Sequence, residues 1–325
     1  MQLPLITASR LKSARACRRL DHFKYDLHLR PIGDDTEALN VGIVTHAGLE
    51  AWWKSDANRL DAAIDAVRAQ EADPYIKARV EAMLVGYDAR WLPEMDRYEV
   101  LGVEREFRTP LINPDTGAPS RTFEMAGKID AIVRERSTGR VLIVEHKTSG
   151  EDITAGSVYW RKLRMDSQVS IYFAGAKALG YDVAGCIYDV LGKPKQRPLQ
   201  ANTRRDTPET PEEFRTRLID ALAAAPDAYY VRGEVARTDA DLREADADRW
   251  ALAIALRDAQ RTQVFPRNPD ACSNYGRLCG FFPICSGDGS ADDPTAFERV
   301  ENPHPELTAP TPKEEAPQCP SQLQP

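Results

Sequence analysis

The sequence predicts an α/β chain in which a mixed central sheet is flanked by helices, and three observations carry that expectation. Between Tyr98 and Ser149 apolar and polar residues alternate with the two-residue period of strands, broken by turn residues. On both sides of that region apolar residues recur at the helical period of three to four. A later apolar run, VAGCIYDVL, reads as a buried strand between helical stretches, so strands and helices interleave after the meander.

Taken in order, residues 8–29 read as a short helix carrying Cys17. The loop PIGDDTEALN leads to a second helix, VGIVTHAGLEAWWKS, with Val41, Val44, Thr45, Leu49, Trp52 and Trp53 on an apolar side. Two more helices follow, at about 58–71 and 74–92. YEVLGVEREFRTPL, TFEMAGKIDAIVRER and VLIVEHKTS then form a three-strand meander with Gly139 in its second turn. The stretch from about 157 to 180 is helical and stops at Gly180, the usual residue just past a helix end. Thr210-Pro211-Glu212-Glu213 is a capping box with proline at the first helical position, opening a helix to about 224. DAYYVRGEVAR is a strand and 239–262 a long amphipathic helix. After Cys285 the chain is rich in Pro, Asp and Glu and poor in large apolar residues, which predicts disorder. The expected organisation is an N-terminal helix over 1–30 and a core over 31–265 with a helical insertion at 40–95. A cysteine-rich segment at 266–286 and an acidic tail at 287–325 complete it.

Composition narrows the function classes. The 325 residues are 42% apolar and 29% charged, ordinary for a soluble globular protein. No apolar run approaches the roughly 20 residues that span a bilayer, so no membrane partner is expected. The N-terminus MQLPLITASRLKSARAC has no continuous apolar region of the secretory kind, which points to the cytoplasm. The formal charge of −7 argues against a nucleic-acid partner only superficially, because the tail from Gly287 onward carries −6 of it. The remainder is near neutral and starts with a basic stretch that includes Arg10, Lys12, Arg15, Arg18, Arg19, Lys24 and Arg30.

The chemistry concentrates in the meander. Strands alternate faces, so Glu145 and Lys147 share a side with Val141 and Ile143 and interrupt an otherwise apolar run. Asp130 lies in the preceding strand. A hairpin turning about Ser137 and Thr138 pairs Asp130 with Glu145; one turning about Thr138 and Gly139 sets it against Lys147. Either register brings the three charges within about 4.5–8 Å at Cβ. Two buried carboxylates facing each other are costly without a cation, and hard oxygen ligands select Mg²⁺ or Mn²⁺. Such an ion lowers the pKa of a bound water and stabilises charge on a phosphoryl oxygen, with Lys147 placed to assist. An exposed hairpin with a cross-strand salt bridge is the competing reading. Gln168 and Tyr172, four apart on the next helix, share a face that either holds a phosphate or base or simply buries a tyrosine. His46 is either a core histidine or a neutral imidazole ligand, and Glu104 and Glu106 share a strand face from which one of them is a candidate to join the cluster.

In order, Gly42-x3-His46, Glu104 in VEREF, Gly127-x2-Asp130, Glu145-x-Lys147 in IVEHKTS and Gln168-x3-Tyr172 resemble the RecB-like branch of the PD-(D/E)XK nuclease superfamily. That branch includes CRISPR-associated RecB-like and phage exonucleases. The resemblance covers about 40–180 and implies a restriction-endonuclease-like sheet. It implies that Asp130 and Glu145 bind Mg²⁺ or Mn²⁺ with His46 and the backbone carbonyl of His146, and that Glu104 is a further candidate ligand. Lys147 would serve catalysis, and Gln168 and Tyr172 would contact DNA, as a single strand or a duplex end. The implied activity is exonucleolytic hydrolysis of phosphodiester bonds in a bacterial or phage-infected host. A catalytically idle DNA-binding or scaffold subunit of a recombination or CRISPR adaptation complex is the alternative. His146 departs from the hydrophobe common between acid and lysine in this branch.

Six cysteines are too few for a disulfide scaffold. Cys272, Cys279 and Cys285 cluster near one end and Cys17 stands near the other, enough thiolates for a [4Fe–4S] cluster or a structural Zn²⁺. Zinc sites favour paired Cys-x2–4-Cys spacing, which these four lack. The iron–sulfur nucleases of the same branch place one cysteine before the core and three after it. A cysteine-ligated metal clasp tying the first helix to the last ordered segment is therefore expected, with Cys186 and Cys319 outside it.

Overall fold

The computed structural model describes residues 3–33, 37–203, 205–274 and 276–307. The N-terminal elements are β1 (Leu5–Ile6), α1 (Ala8–Ala16), α2 (Arg18–Asp21), a π-helical turn (His22–Asp26) and β2 (Leu29–Pro31). Three helices follow, α3 (Glu37–Lys54), α4 (Arg59–Ala69) and α5 (Pro74–Trp91), and then the meander β3 (Tyr98–Ile112), β4 (Pro119–Glu135) and β5 (Val141–Ser149). Next come α6 (Val158–Leu163), α7 (Ser167–Ala178), β6 (Val183–Gly192), α8 (Pro211–Ala223), α9 (Pro226–Tyr229), β7 (Tyr230–Val235) and α10 (Asp239–Thr262). The hairpin β8 (Ser273–Asn274) and β9 (Arg277–Leu278), α11 (Phe282–Ser286) and β10 (Phe297–Arg299) end the described chain.

The main sheet is mixed. β3–β4, β4–β5 and β6–β7 pair antiparallel, while β5–β6 pair parallel. β3 covers one edge of the long β4 along most of its length. The other edge is shared: β1 runs parallel to Glu124 and Met125 near its start, and β5 takes Ala131–Arg134 near its end. Helices bury both faces of the sheet. On one face Leu142 and Val144 pack with Trp52, Tyr87 and Phe214 from α3, α5 and α8. On the other, Ile132 and Ile143 pack with Val169 from α7 and Leu256 from α10. The capping box at Thr210 forms as the sequence predicts, with both reciprocal bonds present.

Three expectations are corrected. The helix expected over 8–29 breaks at Cys17, whose extended backbone (φ −162°, ψ 125°) ends α1 and starts α2. The helix expected over 157–180 splits into α6 and α7, because the Asp166 carboxylate accepts the Gln168 N–H and starts a new helix there. Residues 287–307, the start of the stretch expected to be disordered, are ordered. β10 pairs with β2, and Phe297 is buried in a small cluster with Phe23, Leu29 and Phe281. One aromatic side chain there supplies the apolar burial that the local composition lacks. The rest of the expected tail, with Cys319, lies outside the described residues.

Candidate active site

The β4–β5 register settles the two alternatives. Ala131 faces Val144 and Arg134 faces Val141, so the ladder turns about Ser137 and Thr138 and carries Asp130 opposite Glu145. Backbone pairing stops one step earlier. There the Asp130 carboxylate replaces the strand: its Oδ2 accepts the His146 N–H at 2.7 Å. That bond fixes one carboxylate oxygen, and the other lies 3.8 Å from His46 Nδ1 on α3.

Glu145 is 1% exposed and Asp130 7%. Glu145 Oε1 accepts from Lys147 Nζ at 2.5 Å, whereas Oε2 is buried with no hydrogen-bond partner. Burial pushes the Glu145 acid up to about 8 against the pull of Lys147, and Asp130 pushes the same way as burial. Burial opposes the charge on Lys147 too, but Glu145 and Asp130 hold that ammonium above its ordinary range. Lys147 Nζ also donates to Gln168 Oε1 at 2.8 Å, and Gln168 Nε2 donates to the Tyr172 hydroxyl at 2.6 Å. A chain of bonds thus runs from Glu145 through Lys147 to Gln168 and Tyr172. Burial lowers the His46 pKa against the pull of Asp130, which favours the neutral ring with a lone pair for a ligand.

Two predicted residues sit differently from their expected roles. Tyr172 is only 6% exposed, its ring edge-on to Phe107 and its hydroxyl committed to Gln168, so it offers a DNA strand little surface. Glu104 stands beside Asp130 in the β3–β4 register, between the pairs Val103–Ala131 and Arg105–Ile129. Its carboxylate is ion-paired to Lys128, and its φ of +52° is rare for a residue with a side chain. A strained backbone of this kind persists only where surrounding structure enforces it.

Behind the site lies a network that sequence reading missed. The His146 ring points to the opposite face from Glu145, its Nδ1 3.3 Å from Asp189 Oδ2, against Trp53 and Tyr87. Asp189 also accepts from the Tyr87 hydroxyl (2.5 Å) and from Arg232 Nη2 (3.0 Å). Despite its complete burial, Arg232 and His146 hold Asp189 below the usual carboxylate range. Arg232 in turn lies 4.1 Å from the Trp91 ring centroid. The available signal was an acid inside the apolar run VAGCIYDVL, the same kind that marked Glu145.

At the far ends of the chain Cys17, Cys272, Cys279 and Cys285 line one cavity, walled by Leu20, Phe23, Phe281 and Phe282. All four are free thiols. Burial raises the Cys279 and Cys285 pKa values, and the neighbouring thiols raise them further. Four thiolates facing one another repel, so a cation is what makes the deprotonated set stable. Among the described residues, however, no group of three or more His, Cys, Asp or Glu side chains is drawn closely enough together to hold a metal ion. The expected clasp is therefore present as a donor set and not as a formed metal site. The carboxylate cluster fits a divalent ion on other grounds: Glu145 Oε2 is an orphaned buried acceptor beside a second carboxylate.

The family model of the PD-(D/E)XK nuclease superfamily matches residues 5–286. The chain belongs to the PD-(D/E)XK nuclease superfamily. The match takes in the meander, α7 and all four converging cysteines. Solved structures with which it aligns include SSO0001, at 13% identity over 89% of both chains, with a TM-score of 0.31. An alkaline exonuclease, LHK-Exo from Laribacter hongkongensis, aligns at 13% identity over 67% of this chain and 89% of its own, with a TM-score of 0.28. A phage-related exonuclease from Haemophilus somnus 129PT aligns at 17% identity over 67% and 94%, with a TM-score of 0.30. No curated protein matches the sequence. Among the described residues no helix is long and apolar enough to cross a membrane.

Proposed function

We propose that this PD-(D/E)XK protein is a divalent-metal-dependent DNA exonuclease whose site is Asp130, Glu145 and Lys147. The observation that carries the reading is that the β4–β5 register carries Asp130 opposite Glu145, whose buried Oε2 lacks a partner, beside the ammonium of Lys147. Asp130, Glu145, neutral His46 and the His146 carbonyl would hold Mg²⁺ or Mn²⁺, with Glu104 available if it leaves Lys128. That ion supplies Lewis-acid polarisation of water and of a phosphate oxygen.

The chain's own groups do the positioning. The His146 N–H locks one Asp130 oxygen and so aims the other. Lys147 stays protonated and presents its charge to the scissile phosphate, stabilising negative charge as the phosphorus becomes five-coordinate. Gln168 fixes the direction of that ammonium, and Tyr172 fixes Gln168. The ordered motifs shared with the RecB-like branch support the exonucleolytic mode and DNA, as a single strand or a duplex end, as substrate.

We further propose that the four cysteines hold a [4Fe–4S] cluster with a structural role, zinc being the alternative that metal analysis distinguishes. Their convergence from both chain ends on one cavity supports this. Single-turnover cleavage of end-labelled DNA tests the activity. Wild type is expected to cut with Mn²⁺ and not with EDTA, and Lys147→Ala to lose about 10²–10³-fold in rate. Equal cleavage by Lys147→Ala, or none by wild type, would favour a DNA-binding subunit.

A further inference from the structure

A groove of about 790 Å³ lies between α7 and α10, lined by Ser170, Phe173 and Lys177 of α7, by Val183 and Ala184 at the start of β6, and by Arg237, Arg243, Asp246 and Arg249. Val183 pairs with Val141, the first residue of β5, while Lys147 pairs with Val190. At about 3.3 Å per residue the groove is therefore ~20 Å along the sheet from Lys147.

Arg249 is the anomaly. Its side chain is 1% exposed, yet only Nη2 has a partner, Asp246 one turn earlier. Nε and Nη1 are buried with no hydrogen-bond acceptor. Leaving such donors unmade costs about 1–3 kcal/mol each, and more on a charged group. Their neighbours increase the positive field. Arg237 donates its hydrogen bonds to neutral acceptors, the Ser170 hydroxyl and the carbonyls of Leu163, Asp166 and Ala236, and the acid that feels its charge is Asp241 at the start of α10. Arg15 on α1 stands near Arg249 but is itself ion-paired to Asp248, while Lys177 and Arg243 reach the groove from either side. Asp182, Asp239 and Asp246 line the groove as opposing acids, and Asp241 and Asp248 act on Arg237 and Arg249 from beside it.

We propose that this groove is a phosphate-binding site built on Arg249, separate from the carboxylate cluster and independent of the nuclease reading. The two idle donors call for an acceptor with several oxygens, and Lys177 and Arg243 for more than one negative charge; a phosphate has both. The groove is larger than free phosphate, so it also admits a phosphate on a larger body, such as a nucleotide or a DNA end.

Calorimetric titration of the full chain in EDTA at low salt tests this with inorganic phosphate, a nucleoside 5′-monophosphate and a short single-stranded oligonucleotide. Saturable one-to-one binding of at least one is expected. The Lys177→Glu/Arg243→Glu variant, altered only at the groove mouth, should weaken it tenfold or more with an unchanged melting temperature. Arg249→Lys should weaken it as well, because an ammonium cannot present two fixed donors. Binding by free phosphate identifies a small-anion site, and binding by the oligonucleotide alone identifies a DNA phosphate. No saturable binding of any probe, an unaltered affinity in the charge-reversed variant, or loss of binding in Lys147→Ala would overturn the assignment.

Discussion

The carboxylate cluster and the cysteine cavity both gather residues far apart in sequence, by opposite means. Glu145 and Lys147 are set by the β5–β6 ladder and Asp130 lies one step beyond the last β4–β5 pair, in a sheet packed on both faces by helices. The four cysteines sit on a helix break, on the two outer flanks of a hairpin of two-residue strands and on a five-residue helix, around a cluster of four buried side chains among the described residues. The first arrangement is imposed by the sheet before any ligand arrives. The second has little apolar burial of its own, and the metal proposed for it would supply much of its cohesion.

That contrast gives the expected order of effects. Arg232→Met leaves Asp189 buried without its cation behind the active strand, and should cost about 3–5 kcal/mol in denaturant unfolding. A change within 1 kcal/mol would mean that the network does not brace the sheet. Cys272→Ser should act locally. Acting like removal of a cross-link, it should lower hydrogen-exchange protection of 266–307 by about 2–4 kcal/mol and leave β4 and β5 unchanged. Equal loss in both regions would show them to be one cooperative unit.

The smallest effect concerns His304, which packs against Tyr25 and is pushed down to about 4 by burial, with Arg10, His28 and Arg108 acting the same way. The folded state therefore prefers the neutral ring, whereas the released segment takes up a proton near 6.5. Its contribution is complete above about pH 6.5 and lost as pH falls towards 4, by up to ~3 kcal/mol. Hydrogen exchange over 297–307, corrected for intrinsic rates, should loosen between pH 7 and 5, and His304→Gln should remove that dependence. A loosening equally strong in the sheet would contradict it.

The sequence made the sheet side more legible than the clasp side, for physical reasons. Two-residue alternation identified all three meander strands, and the face shared by Asp130 and Glu145 followed from it, although only the ladder could choose between two registers. The Asp189–Arg232 pair escaped because its partners are 43 residues apart and meet only through the β6–β7 register. The break at Cys17 escaped because Ala16 and Arg18 are good helix formers, so nothing local announces an extended residue between them. Order in 287–307 depends on Phe297 reaching Phe281 and β2, a contact that composition cannot report.

The central claim is that Asp130 and Glu145 form one divalent-ion site. Titration of Mn²⁺ into the protein, followed by electron paramagnetic resonance, tests it without needing turnover. The account predicts one saturable site in wild type that Asp130→Asn and Glu145→Gln each abolish while the melting temperature stays within a few degrees. Unchanged Mn²⁺ binding in either variant would contradict it.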